Sequence, residues 1–393
     1  MKRVYLDHIA ATPVEPRVVE AMLPFLKEKF GNPQSLHSEG QEALEAMEEA
    51  RAKVGKLIGA SSEEIFFTAS GSEANNFALK GLALARREKG NHVVVSAVEH
   101  QSVLSSARNL EKFGFSSTLV PVDRHGLVDP EDVKRAIKKE TVLVSVMLAN
   151  SEVGTVEPLA EIARVCRDAG VPVHTDAIAA VGNIPVDVDA LGVDSLSLAG
   201  DQFYGPKGSA ALFVRKGTRI LPLVDGGIQE GGRRAGTENV AGVVGLGKAA
   251  EIAISGLPER MIRMGQLRDR LIDALPRLVD HVLLTGHREK RLPHHASFCV
   301  RFVEGEAMLL SLDMKGVAAS SGSACTSRAL KASHVLLAMG VDHALAQGSL
   351  VFSMIDGATE EDVDYLLDVF PPIVERLRKM SPLYTEFMKE SRK

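Results

Sequence analysis

From about residue 60 to 215, short apolar runs alternate with segments of helical periodicity. The runs EEIFFTAS, HVVVSAVEH, STLVPV, TVLVSVML, VPVHTDA, SLSLAG and SAALFVRKG are rich in branched side chains and read as strands. Between them, GSEANNFALKGLALARREKG, SVLSSARNLEKFG, PEDVKRAIKKE and PLAEIARVCRDAG repeat their apolar residues every three or four positions. Each carries Gly, Lys or Arg near its end, as helices do. Strands alternating with helices predict an α/β fold, a mostly parallel sheet covered on both faces. Ligands gather beyond the carboxyl ends of such strands. Those ends fall at residues 70–73, His100, residues 150–152, Asp176 and residues 199–202.

A boundary is expected near SGLPER, at 255–260. It separates a large α/β domain, 15–256, from a smaller α+β domain made of 1–14 plus 257–393. The smaller part contains the strand-like ASFCVRFVEG and the helical DVDYLLDVFPPIVERLRKM. The chain's 393 residues suffice for two such cores.

Composition then removes several function classes. The net charge of −5 supplies no basic footprint for nucleic acid. No unbroken apolar run approaches the length of a membrane span, and MKRVYLDHIAATPVEPR is too polar for a signal peptide, so a cytoplasmic protein is expected. Cysteines at 166, 299 and 325 form neither a disulfide framework nor a paired CxxC metal motif. Cys166, on an amphipathic helix, and Cys299, in FCVRF, read as buried small hydrophobes. Cys325 differs. It sits in SSGSACTS, where nothing around it supplies apolar packing, and an exposed thiolate there suits a nucleophile or a soft-metal ligand.

The motifs at the strand ends carry both structural and chemical readings. TASGSEANN places Gly71 and Ser72 at a strand-to-helix junction, where exposed N–H groups favour an anion; a tight turn capped by Ser70 or Ser72 is the alternative. Asp176 in HTDA could hold a protonated ring nitrogen or cap the next segment. His100 could stack on a planar ligand or serve as a hydrogen-bonded structural residue. GRRAGTEN, with Thr237, reads as a solvated connection or as a binding loop.

Together YLDHIAATPV, FGNPQSLHSEG, FTASGSEANN, SAVEH, NSEVGT, HTDA, FYGPKG, AGTEN and SSGSACTS resemble the IscS/NifS-type cysteine desulfurases. These form a class V branch of the fold-type I aminotransferases. The resemblance covers nearly the whole chain. It implies a seven-stranded sheet, pyridoxal phosphate (PLP), and a homodimer with active sites at the subunit interface. It further implies a loop cysteine, here Cys325, that carries persulfide to a partner such as an IscU-like scaffold. Ser72, His100, Asp176, Thr237 and Cys325 match the family pattern, as does Gly71.

Elsewhere the pattern departs. Gln202 stands where the family has its Schiff-base lysine, Asp201 replaces the preceding histidine, and Ala199 replaces a phosphate-binding serine. Ser151 replaces an asparagine, Ala179 a glutamine that faces the ring, and Val351 the arginine that clamps the substrate carboxylate. An amide has no nucleophilic nitrogen, and no other side chain reproduces a guanidinium fork. Lys207, in GPKG, belongs to the family pattern already and lies beyond the turn. The expectation is therefore a sulfur-transfer or iron–sulfur assembly protein with PLP-dependent C–S cleavage weak or lost. In it Cys325 is a persulfide carrier or a ligand to a [2Fe–2S] cluster shared with a scaffold. An active PLP-dependent desulfurase and a non-catalytic regulatory dimer are the alternatives.

Overall fold

The computed structural model describes residues 2–322 and 332–390. All seven predicted runs become strands of one sheet: β2 (Ile65–Thr68), β3 (His92–Ser96), β4 (Ser116–Val120), β5 (Thr141–Ser145), β6 (Val173–Asp176), β7 (Ser195–Ala199) and β8 (Ala210–Val214), after a short β1 (Val4–Tyr5). Their order is β2-β8-β7-β6-β5-β3-β4. The pairs from β4 to β7 are parallel, whereas β8 runs antiparallel between β7 and β2. β3, β5, β6, β7 and β8 are buried along their whole length, which is why they read as continuous apolar runs rather than alternating ones.

Helix Ser38–Ile58 shows why the flanking layers pack so closely. Its Ala43, Met47, Ala50 and Val54 recur at four- and three-residue steps and are all buried. Gly247, on helix Val240–Leu278, lies against them; a Cβ there would stand 2.6 Å from the Cα of Ala50, so only glycine permits this approach. The helix stops at Gly59, whose left-handed φ of 71° closes it.

The remaining strands, β9 (Val282–Leu284), β10 (His295–Val300), β11 (Val317–Ala318) and β12 (Ser349–Ser353), make a separate antiparallel sheet, β12-β10-β9, and a parallel pair, β1 with β11. That pairing ties the N-terminus to the C-terminal third. Val4 and Leu6 share an apolar cluster with Met264, Phe298, Phe352 and Phe370. The cluster beside the large sheet reaches Ala253 on helix Val240–Leu278, and the second begins at Met264 on the same helix. The stretch 255–260 is thus mid-helix rather than a linker, with Pro258 inside it. This helix is apolar enough in composition to cross a membrane, yet half of its most apolar stretch is buried within the fold.

Candidate active site

The carboxyl ends of β2, β3, β5, β6 and β7 open onto a cleft of about 600 Å³. Gly71, Ser72, His100, Ser151, Asp176 and Ala179 border it, as do Ala199, Asp201 and Gln202. Sequence positions far apart therefore converge, because every parallel strand delivers its following loop to one edge.

Asp176 ends β6, buried, and is held by two donors. Asn75 Nδ2 reaches its Oδ2 at 2.6 Å and the Ile178 N–H its Oδ1 at 3.0 Å. Burial raises its carboxyl above the usual range, while the Ile178 N–H, the charge of His100 and the Asn75 amide pull it back. Asn75 Nδ2 also donates to Ser102 Oγ at 2.9 Å, and Ser102 Oγ lies 2.8 Å from His100 Nδ1. The Ser102 N–H donates to the same His100 nitrogen, so this histidine caps helix Gln101–Glu111 and faces the cleft as well. The hydrogen-bonded structural reading of His100 from the sequence describes it. Asn75 and Ser102 were not singled out, although the SEANN motif contains the first.

The turn after β7 is built as follows. The backbone carbonyl of Asp201 accepts from the Thr12 N–H at 3.0 Å and from Thr12 Oγ1 at 2.8 Å. Gln202 is buried; its side-chain Nε2 donates to Ile9 O at 3.3 Å, and its own carbonyl lies 2.9 Å from His8 Nε2. Burial raises the Asp201 carboxyl, with Lys207 opposing the shift. Buried Ala199 brings a methyl to helix Gly71–Ala85: a Cβ on Gly71 would meet Ala199 Cβ at 3.5 Å and Ile178 Cδ1 at 2.2 Å. Ser70 caps this helix through the Glu73 N–H, 3.1 Å from its Oγ. Ile178, between two residues that the sequence singled out, was missed; its apolar side chain carried no chemical signal.

Other candidates lie apart. Thr237 is exposed and does not border the cleft. Val351 is buried in β12, behind the wall: its N–H donates to Ser320 O at 2.7 Å, and Ser320, not Val351, borders the cleft. The Ser151 carbonyl lies 2.8 Å from His295 Nε2. Cys325 lies outside the described residues. Cys166 and Cys299 are buried as expected, each thiol pushed up to about 12 by burial. The GRRAGTEN loop is largely exposed but pinned at one point: Arg234 Nε donates to Glu73 Oε1 at 2.8 Å, and Glu230 just before the loop is buried.

Two further acids are set apart by burial, Glu99, which the sequence did not single out, and Glu152, which ends the strand-end stretch 150–152. Glu99 is buried; its Oε1 accepts the Met147 N–H at 2.5 Å while Oε2 has no partner, and burial drives its carboxyl well above the usual range. Glu152 is enclosed beside Ser333, whose Oγ donates to it at 2.5 Å, and burial raises its carboxyl to about 7. A carboxyl raised in the folded state stabilises fully below its unfolded value, 4.5, and loses that contribution as pH rises through about 7. Glu152→Gln is therefore expected to match the parent at pH 5 and exceed its unfolding free energy at pH 8.5 by up to about 3 kcal/mol. Urea unfolding at both pH values checks this, and parallel behaviour at the two would contradict it.

A twisted, mostly parallel sheet with its cleft at the strand ends and a second small sheet alongside is the architecture of fold-type I PLP enzymes. The aminotransferase class-V family model matches residues 4–366. The chain is 51% identical to a cysteine desulfurase IscS of Dictyoglomus turgidum over 388 residues, 98% of each chain. It is 47% identical to the IscS of Clostridium botulinum over 390 residues, 99% of this chain and 98% of that one. A solved structure described as a NifS-like protein superposes with a TM-score of 0.90 at 38% identity, covering 96% of this chain and 100% of its own. SspA in complex with cysteine superposes at 0.80, with 33% identity and 89% and 98% coverage. The chain belongs to the IscS/NifS-type cysteine desulfurase family, whose members are PLP-dependent.

Proposed function

We propose that this chain serves sulfur transfer or iron–sulfur cluster assembly without efficient PLP-dependent C–S cleavage of its own. The observation that carries the reading is Gln202, whose amide sits at the family's lysine position and donates to Ile9 O at 3.3 Å. An amide cannot form an imine or act as a base near neutral pH. The surroundings fit a phosphorylated cofactor poorly: Asp201 brings a carboxylate, and Ala199 and Ile178 bring apolar carbon to Gly71. A phosphate dianion placed there meets like charge and apolar carbon where donors are needed.

Cys325 is then the sulfur carrier in the cytoplasm. Its thiolate attacks the outer sulfur of a donor persulfide; one S–S bond forms as the donor's own breaks, and the donor leaves as thiolate. The acceptor is a scaffold protein that builds a cluster, with Cys325 ligation of a [2Fe–2S] centre as the second use of the same thiolate. Exposed Leu26, Phe30, Leu36 and Ile228 support a homodimer, since large apolar side chains in water mark interfaces.

A second reading, an active PLP-dependent desulfurase, is favoured by the 47–51% identity to relatives named IscS over essentially the whole chain. One experiment separates the two. Purified protein mixed with PLP is expected to show no bound-cofactor absorption band and to release no sulfide from cysteine above free PLP. A band with sustained turnover establishes the second reading instead. Cys325→Ala is expected to abolish sulfur transfer from a persulfide donor to a scaffold, and unchanged transfer would leave the protein as a non-catalytic regulatory dimer.

A further inference from the structure

A second cavity, of about 420 Å³, opens at the edge of the large sheet opposite the strand-end cleft. Its wall is built from residues that precede β6 and β7 or follow β8: Gly170 and Pro172, Asp194, and Arg215. Two further arginines reach it from opposite faces. Val93 and Val95 of β3 pack with helix Gly71–Ala85, whereas Val94 packs with helix Leu159–Asp168, so these helices cover the two sides of the sheet. Arg86 closes the first helix, and Arg167 stands in the last turn of the second. The negative end of a helix dipole favours a cation at each place. Around the sheet's amino edge the two side chains line one cavity.

The three guanidiniums there are not equally served. Arg215 is fully engaged: Nη1 pairs with Asp189 Oδ1 at 2.7 Å, while Nε and Nη2 donate to Val193 O and Val188 O at 2.9 and 2.8 Å. Arg86 makes one bond, Nη2 to Gly170 O at 3.1 Å, and its Nε has no acceptor. Arg167 makes no ion pair and no side-chain hydrogen bond among the described residues; its Nη2 lies over Gly192, 2.3 Å from where a Cβ would stand. Of the two acids, Asp189 is paired with Arg215, and Asp194 gives Oδ2 to the Val173 N–H at 2.8 Å. Two guanidinium forks thus share the cavity with a single unpaired carboxylate, in a chain whose net charge is −5.

We propose that this cavity binds a phosphate group, held between Arg86 and Arg167. A guanidinium donates to two phosphate oxygens at once, and a tetrahedral anion has oxygens enough for both forks. The cavity is larger than a lone phosphate, so the group is best carried on a small hydroxylated body whose O–H donors meet the other oxygen of Asp194. The site shares no residue with the strand-end cleft, and it holds whether or not that cleft carries out desulfuration.

Glycerol 3-phosphate, inorganic phosphate and glycerol are the probes. Calorimetric titration of the full-length protein at constant, low ionic strength is expected to show one glycerol 3-phosphate bound per chain and no binding of glycerol. The Arg167 side chain is exposed, so Arg167→Ala leaves the core intact; it is expected to weaken the ester at least about tenfold. Arg167→Lys is expected to restore only part of that loss, because an ammonium keeps the charge but not the fork. Arg86→Gln is expected to weaken binding similarly. Inorganic phosphate binding as tightly as the ester identifies the free ion as the ligand of this site, and weaker binding identifies the ester. Arg277→Ala, which removes an exposed arginine from helix Val240–Leu278, is expected to change nothing. Absence of ester binding overturns the inference. So does an equal loss in the Arg277 and Arg167 variants, or binding that survives Arg86→Gln and Arg167→Ala together.

Discussion

In the Gln202→Lys, Asp201→His double variant, PLP is expected to become trappable by borohydride as one reduced adduct per chain, which the parent does not form. Sulfide release from cysteine is nevertheless expected to stay at least about a hundredfold below that of the 51%-identical IscS relative assayed alongside. The variant supplies the amine and removes the carboxylate nearest to it, but it leaves the substrate's own carboxylate unclamped. Val351, at the family's arginine position, is 1% exposed and lies within β12, so it offers the cleft neither charge nor a polar tip. Without a bidentate clamp the substrate is poorly oriented, and misplacement of about an ångström is enough for a loss of that order. Mass spectrometry of the reduced protein and a sulfide assay check the two halves separately. Turnover equal to that of the relative would show that another group on this chain holds the carboxylate.

Glu230→Gln is expected to lower the unfolding free energy by about 3–5 kcal/mol while keeping the side chain's shape. Glu230 and Arg51 form a two-pronged pair, Nη1 to Oε2 at 2.7 Å and Nη2 to Oε1 at 2.9 Å, with side chains only 3% and 11% exposed. The same carboxylate accepts the Phe67 N–H at 2.9 Å, and the guanidinium lies 4.6 Å from the Phe67 ring centroid. Removing one charge leaves Arg51 buried and unpaired beside the edge strand β2, which leads into the cleft. Glu63 with Lys216 is the contrast: 3.3 Å apart but 75% and 83% exposed, it is screened by water. Lys216→Ala should change stability by less than about 0.5 kcal/mol in the same urea titration. Comparable losses from the two variants would show that burial does not govern these pairs.

Much of the site was legible because its parts lie next to strand ends, and strand ends are marked by where apolar runs stop. Gly71, His100, Asp176 and Gln202 could be placed on one edge from that rule alone. Asn75 and Ser102 could not, since their importance lies in bonds to Asp176 and His100 across helices. Glu99 and Glu152 are unusual only through burial, which one acidic letter does not record. Ile178 was invisible for the opposite reason: an isoleucine matters here solely through the glycine and alanine it touches.

The order of apolar runs determined the seven strands of the large sheet, the helices between them and the edge at which chemistry gathers, because burial on both faces selects branched apolar residues locally. The letters at 199–202 likewise determined which chemical groups are absent, since no fold can give an amide the nucleophilicity of an amine. Strand direction was decided only in three dimensions: β8 looks like its neighbours in composition but runs antiparallel, as its short connection to β7 requires. The passage through 255–260 was also decided there. A domain boundary is expected there, and residues before and after it, Ala253 and Met264, pack into two different cores. Those two anchorages hold one continuous helix through the proline, and contacts so distant in sequence leave no local trace in it.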